Sequence, residues 1–276
     1  MQEIRWFYPD TATEAVSLLR EDGRVAHGGG TGLKRRGLKG YTGIVDLGRL
    51  PLDFLRQEGG LVRIGSMSTF AGIARGLRGD SVLVKSLSRA ASTPLRNRIT
   101  AGGSVALFPP WSDIMGPLIA LDARVVCMVT DDDDCSNSPR EERMEVTRYI
   151  SEPAAVRRKS LIVSIEYSDD GWRSFYHREA ETYFDYPAFT VTVLMKSEKD
   201  RITDARIVIA GCTGRFVRLD EAEASLRGED IREALREFSP DLGGVSFARK
   251  KFMEPGYLRH LAGVWVERGV KSLCRI

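Results

Sequence analysis

Residues 92–113 read "STPLRNRITAGGSVALFPPWSD", and this stretch decides the fold. Gly102 and Gly103 form a paired-glycine turn, with hydroxyls on either side at Thr100 and Ser104. Arg96 and Arg98 precede the turn, and Ser112-Asp113 follows it. Glycine tolerates close approach and backbone conformations that other residues avoid, at an entropic cost, so a pair between polar neighbours suggests a bound group. Asp113 fits two roles: a carboxylate accepting hydrogen bonds from a ribose, or the N-cap of a helix over "IMGPLIAL".

A second glycine cluster lies upstream. "VAHGGGTGLKRR", residues 25–36, holds four glycines and three basic side chains. It lacks the Rossmann spacing and the Gly-Lys-Ser/Thr ending of a P-loop. Successive glycine amides can nonetheless form an anion-binding nest, and two such turns can grip one pyrophosphate from two sides. Lys34, Arg35, Arg96 and Arg98 are either charge complements to that group or ordinary surface cations.

Around these loops the chain reads as mixed α and β. "DTATEAVSLLRE" is a helix capped at Asp10 or Thr11, with Glu14 three residues after Thr11. "RVAHGG" and "GIVDLGRL" are short strands, the latter ending at Asp46. "LDFLRQEGGLVRIGSM" is a hairpin about Gly59-Gly60. "STFAGIARGL" and "DSVLVKSLSRAA" are helices, and "SDIMGPLIALDARVVCMV" is a helix followed by a strand. "TDDDDCSNSPREER" has no apolar periodicity and is expected to be an exposed connection, its aspartates solvated rather than metal-binding. "SLIVSIEYS", "AFTVTVLMKS" and "ITDARIVIAGC" are strands, the last two joined by "EKDR" as an antiparallel hairpin. Two short helices follow, over "LDEAEASLRG" and "DIREALREF". A final helix begins near Pro255, with Tyr257, Leu258, Leu261, Val264 and Trp265 as its core-facing stripe. The pattern is an α+β N-terminal half, a break between about 130 and 160, and a smaller second domain of sheet and helices.

Composition sets the outer limits. At 276 residues and 42% apolar content the chain can bury two cores. Its 41 basic and 38 acidic residues leave a net charge of +3, too small to argue for nucleic acid or a membrane surface. His27, His177 and His260 are scattered, and Cys127, Cys135, Cys212 and Cys274 show no C-x2-C spacing, so no metal ligands are expected. The N-terminus "MQEIRWFYPD" has charges where a signal peptide needs apolar residues. No apolar run reaches spanning length. The expectation is a soluble, cytoplasmic protein.

The ordered set "GGGTGL", "IVDLGRL", "LVRIGSMST", "LRNRITAGGSVA" and "SDIMGPLIALDARV" resembles the FAD-binding medium subunit of the molybdenum hydroxylases, the group of xanthine dehydrogenase and aerobic carbon monoxide dehydrogenase. "YHREAETYFDYPAFTVTV" and "ITDARIVIAGCTGRFVRLDEAEASLRG" extend the likeness over nearly the whole chain. It implies a two-subdomain PCMH/vanillyl-alcohol-oxidase-type FAD-binding domain over residues 1–155. A smaller α+β C-terminal flavoprotein domain, antiparallel sheet plus helices, would occupy 156–276 and cover the flavin.

Carried over residue by residue, Gly29, Gly30 and Thr31 match the first pyrophosphate loop, with Ala26, His27, Gly28 and Leu33 beside it. Thr100, Gly102, Gly103 and Ser104 match the second loop, and Asp113 matches the residue that binds the adenosine ribose. Asp185-Tyr186 matches the place of an aromatic near the isoalloxazine ring. No side-chain catalyst is implied, because the flavin carries the chemistry. The implied partners are a [2Fe-2S] small subunit and a molybdopterin-containing large subunit, with electrons leaving to NAD+ or another acceptor.

Four departures stand out. Gly32 replaces a commonly acidic residue, and Ser104 replaces a usual asparagine. "LFPPW" replaces a small-polar run, and Ala180-Glu181 replaces a basic pair. Two other readings fit the residues: a stand-alone FAD-dependent oxidase of the vanillyl-alcohol oxidase type, and a degenerate, non-catalytic partner that has lost FAD.

Overall fold

The computed structural model describes residues 4–130, 139–251 and 253–275. The chain divides into two compact units. The first comprises Met1–Ile73, Thr93–Phe108 and Asp122–Ser168; the second comprises Ala74–Ser92, Pro109–Leu121 and Asp169–Ile276. The chain therefore crosses between units more often than a single division at 155/156 describes.

The first unit holds two sheets. β1 (Arg5–Phe7), β3 (Gly43–Asp46) and β2 (Arg24–His27) form a parallel sheet in the order β1-β3-β2. The helix Ala12–Leu19 buries Ala15, Val16 and Leu19 in a cluster with Val45, Leu47, Leu50, Leu52 and Leu161. Thr11 caps this helix by accepting from the Glu14 N–H at 3.1 Å, and the Glu14 carboxylate reaches back to the Asp10 N–H at 2.9 Å, one residue before the N-cap, in a variant of the expected capping box.

The second sheet is antiparallel, with β4 (Leu55–Glu58), β5 (Leu61–Gly65), β6 (Arg124–Val129), β7 (Arg140–Glu145) and β8 (Leu161–Ser168) in the order β4-β5-β8-β6-β7. Gly59 and Gly60 join β4 to β5 at φ +56° and +79°, the positive pair that a two-residue hairpin loop needs to match strand twist.

β7 corrects the sequence expectation that 130–143 is wholly an exposed connection, because Arg140–Arg143 pair with β6. The segment is an edge strand whose charges stay solvated while only Met144 is buried. It has no apolar alternation to announce it. Asp131–Asp134 and Cys135 lie outside the described residues.

The second unit is built on an antiparallel sheet of β9 (Arg173–Glu179), β10 (Phe189–Glu198), β11 (Arg201–Cys212) and β12 (Arg215–Arg218), in the order β12-β11-β10-β9. β10 and β11 are the expected hairpin. The helix Pro255–Cys274 packs on this sheet through Leu258, Ala262, Val266, Gly269, Val270 and Leu273. That face differs from the stripe read in the sequence: Leu258 is buried, whereas Tyr257 is exposed and Leu261, Val264 and Trp265 are only partly covered. Small residues explain the offset. A side chain at Gly269 would place its Cβ 2.7 Å from Phe175 and 2.9 Å from Val193, so the helix approaches the sheet closely along the face that holds Gly269, leaving Leu261 and Trp265 at the margin of the same core. Among the described residues, no helix is long and apolar enough to cross a membrane.

Candidate functional site

Within the first unit the structure brings the two glycine segments together. β2 ends at His27, and Gly30, at φ +73°, opens the short helix Thr31–Arg36. His27 Nδ1 lies 2.9 Å from Asp46 Oδ2, and its carbonyl accepts from the Leu47 N–H at 3.0 Å. The loop after it is pinned by Arg98, whose Nε and Nη2 donate to the Gly29 carbonyl at 3.2 and 3.1 Å. On the same residue a Cβ would stand 1.5 Å from the Arg98 carbonyl oxygen. Only glycine fits there. Gly28 is also crowded, its Cβ position lying 3.1 Å from Thr100 Oγ1 and 3.2 Å from Met67 Sδ.

Held this way, the loop presents unused donors. Among the described residues, the main-chain N–H groups of Gly28, Gly29, Gly30, Thr31 and Gly32 have no hydrogen-bond acceptor. A run of free amides at half-buried residues is a donor set suited to a phosphate group.

Gly102 and Gly103 do not form a turn, which corrects the reading from sequence. They lie in the first turn of the helix Ala101–Leu107, capped by Thr100 Oγ1, which accepts from the Gly103 N–H at 3.2 Å. The Ala101, Gly102 and Ser104 amides donate to the carbonyls of Ser68, Ser66 and Thr100. A Cβ at Gly102 would lie 2.5 Å from Ser66 Cβ, so this glycine serves close packing. This segment therefore offers a ligand the partly exposed Ser104 and the bare surface of Gly103; Thr100 and Gly102 are buried, and the amides of residues 101–104 are already engaged.

Two of the family departures meet in space. A Cβ at Gly32 would lie 2.1 Å from Leu107 Cδ1. The leucine of "LFPPW" fills the volume that an acidic side chain at 32 would need.

The second unit gathers Asp113, Asp185 and Tyr186. Asp113 is not an N-cap, since Ile114 occupies that position of the helix Met115–Ala120. Its Oδ1 accepts from the Tyr176 hydroxyl at 2.8 Å and from Arg178 Nε at 3.0 Å. Oδ2 has no hydrogen bond among the described residues. Burial pushes the Asp113 carboxyl up, while the Arg178 guanidinium and the Tyr176 hydroxyl pull it back. Burial, together with the neighbouring Asp113 charge, holds the Tyr176 phenol well above its ordinary value.

Asp185 closes a turn with Thr182, whose hydroxyl donates to its carboxylate at 3.0 Å. Tyr186 is exposed, its ring 5.1 Å from that of Trp111. Glu181, at the altered basic pair, accepts from Lys251 at 3.0 Å. Arg98, Tyr176 and Arg178 thus belong to these groups. Arg98 was visible in the sequence as a cation near the glycines; the other two carried no local signal.

A donor-rich glycine loop on an α+β scaffold, with a buried carboxylate elsewhere in the chain, defines a protein built to bind a phosphorylated cofactor. The chain belongs to the family described as "FAD binding domain in molybdopterin dehydrogenase", which matches residues 2–167, ending within β8. Nicotine 6-hydroxylase medium subunit from Paenarthrobacter nicotinovorans is 26% identical over 259 residues, 89% of this chain and 87% of that one. The fold matches a chain of carbon monoxide dehydrogenase from Hydrogenophaga pseudoflava at TM-score 0.80 and 20% identity, covering 97% of this chain and 96% of that one. It matches quinoline 2-oxidoreductase from Pseudomonas putida 86 at TM-score 0.81 and 18% identity, covering 99% and 97%. The free amides and the Cβ-excluding contact at Gly29 fit the diphosphate of FAD.

Proposed function

We propose that this chain is the FAD-carrying medium subunit of a molybdenum hydroxylase-type oxidoreductase. Its partners would be a [2Fe-2S] small subunit and a molybdopterin-containing large subunit, and its acceptor NAD+ or another oxidant, in the cytoplasm. The loop Gly28–Gly32 carries this reading: it holds five adjacent amides without acceptors at a point where Gly29 admits no side chain. The family and the match to a medium subunit over 89% of this chain support it.

In this reading the residues divide the work of binding. Gly28, Gly29, Gly30 and Thr31 donate main-chain N–H groups to the diphosphate, with Ala26, His27 and Leu33 setting the loop. Thr100 caps the helix that presents the Ser104 hydroxyl, Gly103 leaves room beside that hydroxyl, and Gly102 packs the helix against Ser66. Asp113 Oδ2 accepts from a ribose hydroxyl while Oδ1 is held by Tyr176 and Arg178. Asp185 shapes the turn that sets Tyr186 beside the isoalloxazine ring. When bound, FAD supplies the two-electron redox chemistry, and the chain orients it and tunes its surroundings. A cluster on a partner chain agrees with the lack of C-x2-C spacing among this chain's cysteines, of which the described Cys127, Cys212 and Cys274 are buried.

The test is purification of the chain alone and with its partners. Yellow protein that releases FAD on denaturation and co-purifies with iron–sulfur and molybdopterin chains is the expected outcome. Colourless protein that takes up no added FAD overturns the reading in favour of a degenerate partner. Flavin reduction by a small alcohol or phenol without other subunits overturns it in favour of a stand-alone oxidase.

A further inference from the structure

Arg178 ties together two parts of the second unit. It stands near the end of β9, and its Nε donates to Asp113 Oδ1 at 3.0 Å. Its Nη1 donates to the Tyr183 carbonyl at 3.4 Å, and its Nη2 donates to the Asp185 carbonyl. The Arg178 and Asp113 side chains are only 7% and 9% exposed. A guanidinium is planar and presents its donors in a fixed fork, so these acceptors are held in one mutual arrangement.

The turn that Arg178 grips has little other anchorage. Tyr183, Phe184 and Tyr186 are 59%, 67% and 64% exposed, so its aromatic side chains are not buried in a core. Among the described residues, the remaining ties are the Thr182–Asp185 contacts inside the turn, the Ala188 N–H donating to the Glu179 carbonyl at the neck of the β9–β10 hairpin, the surface pair Glu181–Lys251, and the Trp111 ring against Tyr186. None of these holds the carbonyls of Tyr183 and Asp185 to the sheet. Arg178 does.

We propose that Arg178 is a positioning residue for the flavin: one guanidinium sets both the carboxylate assigned to the ribose and the turn that carries Tyr186 to the isoalloxazine ring. This rests on the FAD reading above. It adds a residue that acts through two residues assigned to the cofactor. Lysine cannot replace it, because an ammonium can pair with Asp113 but cannot span the two carbonyls as well.

Two readouts test this, one needing no cofactor. Chymotrypsin cleavage after Tyr183 and Phe184, identified by its fragments, reports how readily the turn opens. In the apo chain, Arg178→Lys should speed that cleavage about tenfold, from loss of the carbonyl hydrogen bonds. In the FAD-loaded chain, a tyrosine beside the ring quenches flavin emission, so Arg178→Lys at saturating FAD should raise emission to the level of Tyr186→Leu. If Arg178→Lys leaves both readouts at wild-type values while Tyr186→Leu brightens the flavin, the positioning role is overturned and the FAD reading stands. If Tyr186→Leu itself leaves emission unchanged, the placement of Tyr186 fails and the proposal fails with it. Should Arg178→Lys not fold, Arg178→Gln paired with Asp113→Asn leaves no buried charge unmatched and gives the same two readouts.

Discussion

Gly29→Ala puts one methyl group where the structure has no room for it. The new Cβ would stand 1.5 Å from the Arg98 carbonyl oxygen, and tolerable contact needs roughly 3 Å or more. One side must therefore retreat by about 1.5 Å. The Arg98 main chain resists, because its N–H and that of Ile99 both donate to the Leu95 carbonyl and the Ile99 carbonyl accepts from Phe70. The glycine loop moves instead, and a shift of that size takes its amides out of the roughly 2.7–3.2 Å window of an N–H···O bond. Hydrogen bonds to a charged group contribute about 1.5–3 kcal/mol each. Losing two costs about 3–6 kcal/mol, which weakens FAD binding by roughly two to four orders of magnitude. Titration of the apo chain with FAD, followed by calorimetry or flavin fluorescence, measures this directly. Gly37→Ala is the control: Gly37 also has positive φ, +77°, but no atom lies within 4 Å of its Cβ position. That variant should lose about 1 kcal/mol of stability and keep its FAD affinity. A folded Gly29→Ala protein that binds FAD within threefold of wild type would refute the assignment of this loop to the diphosphate.

The Gly32–Leu107 contact predicts a double-mutant cycle: Gly32→Glu alone lowers the melting temperature and FAD affinity, and adding Leu107→Ala restores part of both. Purely additive losses would show that the two positions do not share space. Burial of the Cys127 thiol, reinforced by the Glu142 charge, pushes it up from 9.0 to about 12. A group raised on folding favours the folded state fully below its unfolded value, and that contribution is lost as pH climbs through the folded value. Wild-type stability should therefore fall between pH 9 and 12 by up to about 4 kcal/mol from this group. Cys127→Ala, less stable at pH 8, should close the gap as pH rises. Parallel urea-midpoint curves for the two proteins across that range would contradict the burial account.

The features legible in the sequence were those whose causes are local. The Thr11 cap, the Gly59-Gly60 hairpin and the β10–β11 pair each announce themselves within one contiguous stretch, through a capping pattern, a turn dipeptide or an alternation. Gly102 and Gly103 were visible but misread, because their glycine character answers to Ser66 and Thr100 across a packed contact rather than to backbone turning. Arg98 looked like any cation until its partner, the Gly29 carbonyl, was in place. Arg178 and Tyr176 were invisible for a related reason: what defines them is Asp113, more than sixty positions away, with no periodicity linking the two. β7 escaped notice because an edge strand can keep nearly all its side chains in water. The altered Gly32 looked like a lost side chain, yet the space it left is filled by Leu107, so two apparent departures are a single exchange of volume.

The strand order of the five-stranded sheet constrains how this protein can be made. β8 lies between β5 and β6, yet it leaves the ribosome after both. Until residues 161–168 emerge, β5 and β6 each present a bare inner edge with nothing to pair against. The segments 74–92 and 109–121 wait longer still, since the strands of their own unit begin at Arg173. Neither unit can be completed from the nascent N-terminal half, and the last 20-residue helix is needed to cover the second sheet. A shortened chain ending anywhere before 168 should emerge with open sheet edges and call on chaperones, even though it would contain every glycine of the proposed cofactor loop.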